Sequence, residues 1–241
     1  MVLDALLRPD AFFAERAPGL SLARAALVVA LVALVTTAVV GAFGWSLSQQ
    51  LTQTTEIPND ERPPDWVCDD ETTSEVDEMM QDGCDQPKQK TVVVGDLFWD
   101  RFSGMLPLVL FSGLLAWPLY GVGLHVLSAI VNGEGSFADT LAVAAWGMLP
   151  SAFQAVVGFG LLLTTLGSVD LSASNPELLA SQVETLSQRA QGDTAVLALA
   201  AAAWQGYVWT FGLKHARKLP TGSAAFAGGT IALVTFLFGI A

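Results

Sequence analysis

The chain has 241 residues, 52% of them apolar and only 14% charged, with a mean hydropathy of +0.50. Ordinary soluble domains carry roughly 25% charged residues, so a water-soluble globule is excluded. The formal net charge is -12, and fourteen of the 23 Asp and Glu residues lie between Glu56 and Asp100. That balance argues against nucleic acid as a partner, because phosphate binding needs clustered Lys and Arg. Excess acid with seven Arg against four Lys matches a halophilic composition.

Residues 1–20 read as a short amphipathic leader. Pro9 breaks it, a second helical turn begins near Asp10, and Phe12 and Phe13 share one face. Arg8 and Arg16 among apolar side chains suit the membrane–water boundary. The apolar stretch that follows runs from Ser21 to Trp45. It is too long for the core of a signal peptide, which takes about 7–15 residues, so Leu22–Phe43 is expected to be the first membrane helix.

Residues 46–100 are the large hydrophilic block. Gln53 to Gln81 is rich in Thr, Pro, Asp and Glu, and its default reading is a disordered or loosely stapled loop. Both cysteines, Cys68 and Cys84, lie in this block. If the block faces an oxidising exterior, a disulfide between them closes a loop of about 15 residues and adds about 3 kcal/mol. With no His and no third Cys nearby, a metal site is not expected. Thr91–Val94 reads as a short strand or the lead-in to a helix, and Leu97, Phe98, Trp99 and Phe102 as an interfacial aromatic collar.

The centre of the chain is an apolar run from Gly104 to Val131, a polar turn Asn132–Ser136 and a second apolar run from Phe137. Each run exceeds the ~20 residues that cross a ~30 Å hydrocarbon layer. The two runs predict antiparallel spans over Gly104–Val131 and Phe137–Leu166, with kinks at Pro118 and Pro150, each of which removes a backbone hydrogen bond. Gly104-Met-Leu-Pro107 recurs as Gly147-Met-Leu-Pro150, but four matches are too few to argue a duplication. Residues 168–192 form a second polar loop with a capping box at Ser174–Glu177 and a surface helix over 176–190. A fourth span is expected over Thr194–Leu213, then a basic turn Lys214–Lys218 and a fifth span over Ser223–Ile240. The fold class is therefore all-α, an integral membrane bundle of five transmembrane helices with kinked second and third helices.

Five spans put the termini on opposite sides. With the N-terminus inside, the inner segments hold Arg8, Arg16, Arg24, Lys214, Arg217 and Lys218, six of the 11 basic residues. Basic residues favour the cytoplasmic side. The expected topology has a cytoplasmic N-terminus, an extracytoplasmic C-terminus and an extracytoplasmic 46–100 loop, in the cell membrane.

No catalytic constellation emerges. Ser112 has its nearest histidine, His125, 13 residues on, about 20 Å along the same helix, so no Ser–His pair forms. HExxH, phosphate-loop and paired intramembrane aspartate patterns do not occur. No catalytic, cofactor or metal residue is assigned. An ionisable or polar group at membrane depth is a functional candidate, which singles out His125, Gln154 and Gln205. Their first reading is interhelical hydrogen bonding; the alternative is a solute path.

The stretch His125–Leu141 with its turn Asn132-Gly-Glu-Gly-Ser136, followed by Ala144–Pro150, resembles the Yip family of five-span membrane proteins (Ypt/Rab-interacting domain). That family shows a glycine-rich turn, a Ser-Phe start and a Leu-Pro inside its third span. Arg8-Pro-Asp-Ala-Phe-Phe13 resembles the entry of its prokaryotic members. The acidic block 46–100 departs from the family pattern, and the DLYGP-like motif of the eukaryotic branch is missing, so GTPase binding is not carried over. The resemblance implies a leader over 1–20 and a five-helix Yip-like domain over 21–241. It implies a helical membrane domain linked, in eukaryotes, to vesicle trafficking and membrane shaping, and no defined activity in a prokaryote-like chain; the function expected here is a non-enzymatic interaction or membrane-organising protein whose partners are membrane lipids and other membrane proteins or a second copy. The alternatives are a small-solute permease or permease subunit and a membrane-embedded enzyme.

Overall fold

A computed structural model describes residues 2–68, 83–166 and 176–240. The chain divides into two compact units. The first comprises residues 1–43 and 105–241, the second residues 44–104.

The first unit begins with two short helices, α1 (Val2–Leu7) and α2 (Pro9–Ala14), the latter with Pro9 in its opening position. Pro is tolerated there because the first helical N–H has no intrahelical partner. Ala5, Leu6, Phe12 and Phe13 are all buried, so the leader's apolar face lies in the protein core. Helix α3 spans Leu22–Ser48, longer than expected. Ala25, Val28, Val29 and Val32 on it are buried, while Leu27, Leu31 and Leu34 are exposed.

Helix α6 (Leu106–Ile130) shows the same inversion more fully. Leu108, Phe111, Leu115, Leu119, Val122 and Val126 recur every three or four residues and are all exposed. Gly121, Leu124 and Ser128 face inward. A stripe of large apolar side chains on the outside has no counterpart in a monomeric soluble protein, and lipid is the solvent that accepts it. Only 6% of the most apolar window of Val94–Ile130 is buried, and the described residues contain five helices long and apolar enough to cross a membrane.

Helix α7 (Phe137–Trp146) is the buried hub: residues 142–150 are buried without a gap. The third span is not continuous. It breaks at Gly147-Met148 and resumes as α8 (Leu149–Leu166), so Pro150 stands in the first turn of a new helix rather than at a mid-helix kink. Pro118, by contrast, lies inside an unbroken α6. The repeated tetrapeptide marks a helix restart in both copies, since Gly104-Met105 separates α5 (Val94–Ser103) from α6. In each, a weak helix former is followed three residues later by a residue without an N–H.

The break has a consequence in the core. Met148 N donates to Ala145 O (3.1 Å), and the Trp209 indole N–H donates to Ala144 O (3.2 Å). Gly147 lets that ring approach: a Cβ on it would stand 2.1 Å from Trp209 Nε1. Gly147→Ala is therefore expected to displace a fully buried ring and lower stability by about 2 kcal/mol, within the usual range for overpacking. An unchanged unfolding midpoint in mild detergent would contradict this contact. Trp117 and Trp204 bridge other pairs, donating to Leu141 O (2.7 Å) and Leu6 O (3.0 Å).

The expected surface helix and fourth span are one element, α9 (Pro176–Ala216), of 41 residues. Gly192-Asp193 does not end it, because a single interior Gly costs only about 1 kcal/mol. The capping box expected at Ser174–Glu177 begins outside the described residues. Helix α10 (Thr221–Ile240) completes the unit.

The second unit is more ordered than a loose loop. Strand β1 (Thr54–Pro58) pairs antiparallel with β2 (Gln89–Val93), Glu56 opposite Thr91. A single helical turn, α4 (Asp65–Cys68), leads to the disulfide Cys68–Cys84, whose Cα atoms are 5.6 Å apart. Three of its basic residues are used as ties: Lys90 contacts Asp60 (2.5 Å) and Lys88 contacts Asp65 (2.9 Å). Arg62 donates to Gln86 O (2.6 Å) and to Cys84 O. Of the expected collar, Trp99 packs edge-on to Trp45 (5.2 Å) and Phe98 stacks on Phe102 (5.3 Å). Residues 69–82, the most acidic stretch, lie outside the described residues. Replacing both cysteines by serine is expected to destabilise this unit by about 3 kcal/mol, the entropy of a 16-residue closure. Limited proteolysis within 50–104 checks this; an unchanged cleavage rate would mean the strands hold without the bridge.

Candidate functional site

Three segments of the first unit meet at one end of its helices: the leader, the turn 132–136 and the basic segment 214–218. The turn is shaped by backbone angles that few residues accept. Asn132 has φ +62 and Gly135 φ +123. Asn tolerates the left-handed region and Gly enters it freely.

Arg217 holds this turn. Its side chain is 3% exposed. Nε donates to Ser128 Oγ (3.1 Å), Nη2 to Gly133 O (2.8 Å) and Nη1 to Gly135 O. In return Glu134 N donates to Arg217 O (2.9 Å). The planar guanidinium thus reads two carbonyls and a hydroxyl at once, which a lysine ammonium cannot do. Among the described residues no carboxylate pairs with it; Glu134 contacts Lys218 instead (3.8 Å). Burial draws the guanidinium below its ordinary pKa.

Asp139 ties the leader to α7. Ser136 Oγ accepts from Asp139 N (3.0 Å), capping α7, and donates to Asp139 Oδ2 (2.6 Å). The other carboxylate oxygen accepts from Gly19 N (2.8 Å) and Leu20 N (3.2 Å). A buried carboxylate needs such donors, since an unpaired one is expelled or neutralised.

Asp10 latches the leader to α9. Its Oδ1 accepts from Lys214 Nζ (2.8 Å) and lies 2.6 Å from His215 Nε2. The hydrogen bond from Lys214, then that from His215, holds the Asp10 carboxyl below the usual carboxylate range. A depressed carboxylate stabilises docking fully above its unfolded pKa of about 4 and loses that contribution as pH falls through the lower folded value. A spin label at exposed Leu3 is expected to gain mobility on acidification below about pH 4, and Asp10→Asn to reduce that pH dependence. Equal pH dependence in the variant would refute the latch.

Of the sequence candidates, His125 Nδ1 is 3.2 Å from Thr140 Oγ1, with its ring edge-on to Phe137. Thr140 in turn donates to Ser136 O (3.2 Å), so His125 belongs to the same polar cluster. Gln205 is buried and Gln154 half-buried, and among the described residues no hydrogen bond joins either to His125. Arg217, Asp139 and Asp10 were not singled out by sequence. In the sequence, Lys214–Lys218 reads as topology-setting charge.

A helical bundle whose large apolar side chains face outward, with its connecting segments tied by polar contacts at one end, is a multi-pass membrane protein. The chain belongs to the Yip1 domain family, whose family model matches residues 3–241. Comparison with curated proteins and with solved structures gives no match.

Proposed function

We propose that this protein is a non-enzymatic organising or interaction unit of the cell membrane, held as a rigid five-span scaffold. The observation that carries the reading is the tying of leader, turn and basic segment by Asp139, Asp10 and Arg217. These charged groups are engaged with the protein's own backbone and side chains, which suits a scaffold that presents a fixed surface. Membership of a family of membrane proteins that interact with other proteins supports it. Crosslinking in native membranes is expected to trap a discrete adduct, with a protein partner or a second copy, and reconstituted vesicles to show no solute flux above protein-free controls. Flux without any adduct would overturn the reading.

The leader, the start of α3 and the 214–218 segment hold Arg8, Arg16, Arg24, Lys214, Arg217 and Lys218, which supports a cytoplasmic N-terminus, an extracytoplasmic C-terminus and an extracytoplasmic second unit. The two native cysteines are paired, so a single cysteine at exposed Glu134 reports alone. Protection from an impermeant maleimide in intact cells is expected; labelling there would reverse the topology. A permease reading draws on Gln205, 4% exposed, whose side chain hydrogen-bonds to none of the described residues. Flux that falls on Gln205→Leu would favour it.

A further inference from the structure

A cavity of about 280 Å³ lies between the leader, the start of α3 and the end of α7. Phe12 and Trp146 line it, both almost fully buried, with ring centroids 4.8 Å apart. Leu20 adds an apolar wall, and the 19–20 backbone beside it is fixed by the two hydrogen bonds to Asp139. The remaining lining is cationic and polar: Arg16, Arg24 and Ser21.

The two arginines have donors to spare. Arg16 lies over the Phe12 ring at 4.5 Å. Its Nη1 donates to Phe12 O (3.1 Å) and Glu15 Oε2 (2.9 Å), and its Nε and Nη2 bond to none of the described residues. The Glu15 pair is exposed, 34% and 70% for the two side chains, and such pairs are weak. The Arg24 guanidinium has no hydrogen bond or ion pair among the described residues. It also stands in the first turn of α3, where the positive end of the helix dipole disfavours a cation. An anion seated between Arg16 and Arg24 offsets both charges.

The geometry points to this cavity as a binding site for the phosphate headgroup of an anionic phospholipid. Guanidinium forks match phosphate oxygens in pairs. Arg24 is the third residue of a 27-residue helix long and apolar enough to cross a membrane, and a helix of that length reaches beyond the ~30 Å hydrocarbon layer into the headgroup region at its ends. The aromatic lining accepts the apolar neck of the headgroup. Sites that enclose a whole drug-sized ligand take about 300–1,000 Å³, so this one holds a headgroup and leaves the acyl chains in the bilayer. The inference needs only that α3 begins at a lipid boundary, and it stands or falls separately from the organising role and the topology.

Full-length protein, delipidated in mild detergent, is titrated with phosphatidylglycerol, phosphatidylcholine or inorganic phosphate and read by native mass spectrometry. One saturable phosphatidylglycerol site is expected. Arg24→Gln and Arg16→Gln each weaken it about tenfold, the size expected for losing one charge-assisted contact. Arg8→Gln, an equal charge change outside the cavity, leaves it within about twofold. In a parallel thermal melt, phosphatidylglycerol raises the midpoint of the unsubstituted protein, and Arg24→Gln removes that rise without lowering the lipid-free midpoint. An equal loss in Arg8→Gln, no saturable site, or phosphatidylcholine binding as tightly would overturn the assignment. Displacement of the lipid by millimolar inorganic phosphate would transfer the site to a soluble phosphate and overturn the lipid reading.

Discussion

Arg217→Met is expected to lower stability by about 3 kcal/mol, measured as the unfolding midpoint in mild detergent. Methionine preserves much of the side-chain volume, so the loss reports the hydrogen bonds and not a cavity. The guanidinium satisfies Gly133 O, Gly135 O and Ser128 Oγ at once. Hydrogen bonds to a charged group contribute about 1.5–3 kcal/mol each, and stranded buried acceptors add a penalty of their own. Water reaching the turn in the variant recovers part of that sum, which is why the estimate stays near the value of one to two bonds. Arg217→Lys should rescue little, because an ammonium on a flexible stem cannot reach three acceptors in fork geometry. A lysine variant as stable as the original protein would show that charge alone, and not the fork, holds the turn.

Gly135→Ala carries the second large effect, about 3 kcal/mol, from two independent sources. At φ +123 the backbone lies where an L side chain is strained, typically by about 1–3 kcal/mol. A Cβ there would also meet Ala216 O at 2.5 Å. That oxygen is backbone, so relief requires moving the turn away from the 214–218 segment, which breaks the Arg217 bond to Gly135 O. The two substitutions therefore act on one contact, and their double mutant is expected to lose less than the sum of the singles. Strict additivity would mean that turn and arginine are independent elements.

Much of the fold was readable from residue order because lipid imposes a simple rule. A segment that crosses the hydrocarbon must satisfy its own backbone and carry apolar side chains for some 20 residues. The spans follow from composition and length, and the Cys68–Cys84 pairing from the same sequence once the block is taken to face an oxidising exterior. Element boundaries were less legible. Gly192-Asp193 looked like a terminus and is helix interior, while Gly147-Met148 looked like helix interior and is a break. A lone glycine costs too little to decide by itself; the Trp209 ring seated against Gly147 accompanies the break at one, and α9 runs on through the other.

What the amino-acid order determined by itself is the solvent of this protein: five apolar helices with one acidic excursion, and the family signature in its central turn. What only the tertiary structure decided is which charges are structural. Arg217, Asp139 and Asp10 are unremarkable as letters, because a charged residue near a span end satisfies the topology rule whatever it touches. Their roles depend on partners 82–89, 119–120 and 204–205 residues away, and hydrogen bonding is short-ranged and directional. Only the folded chain brings those atoms within 3 Å or so of each other, and only there does Arg24 stand out as a cation left facing a cavity.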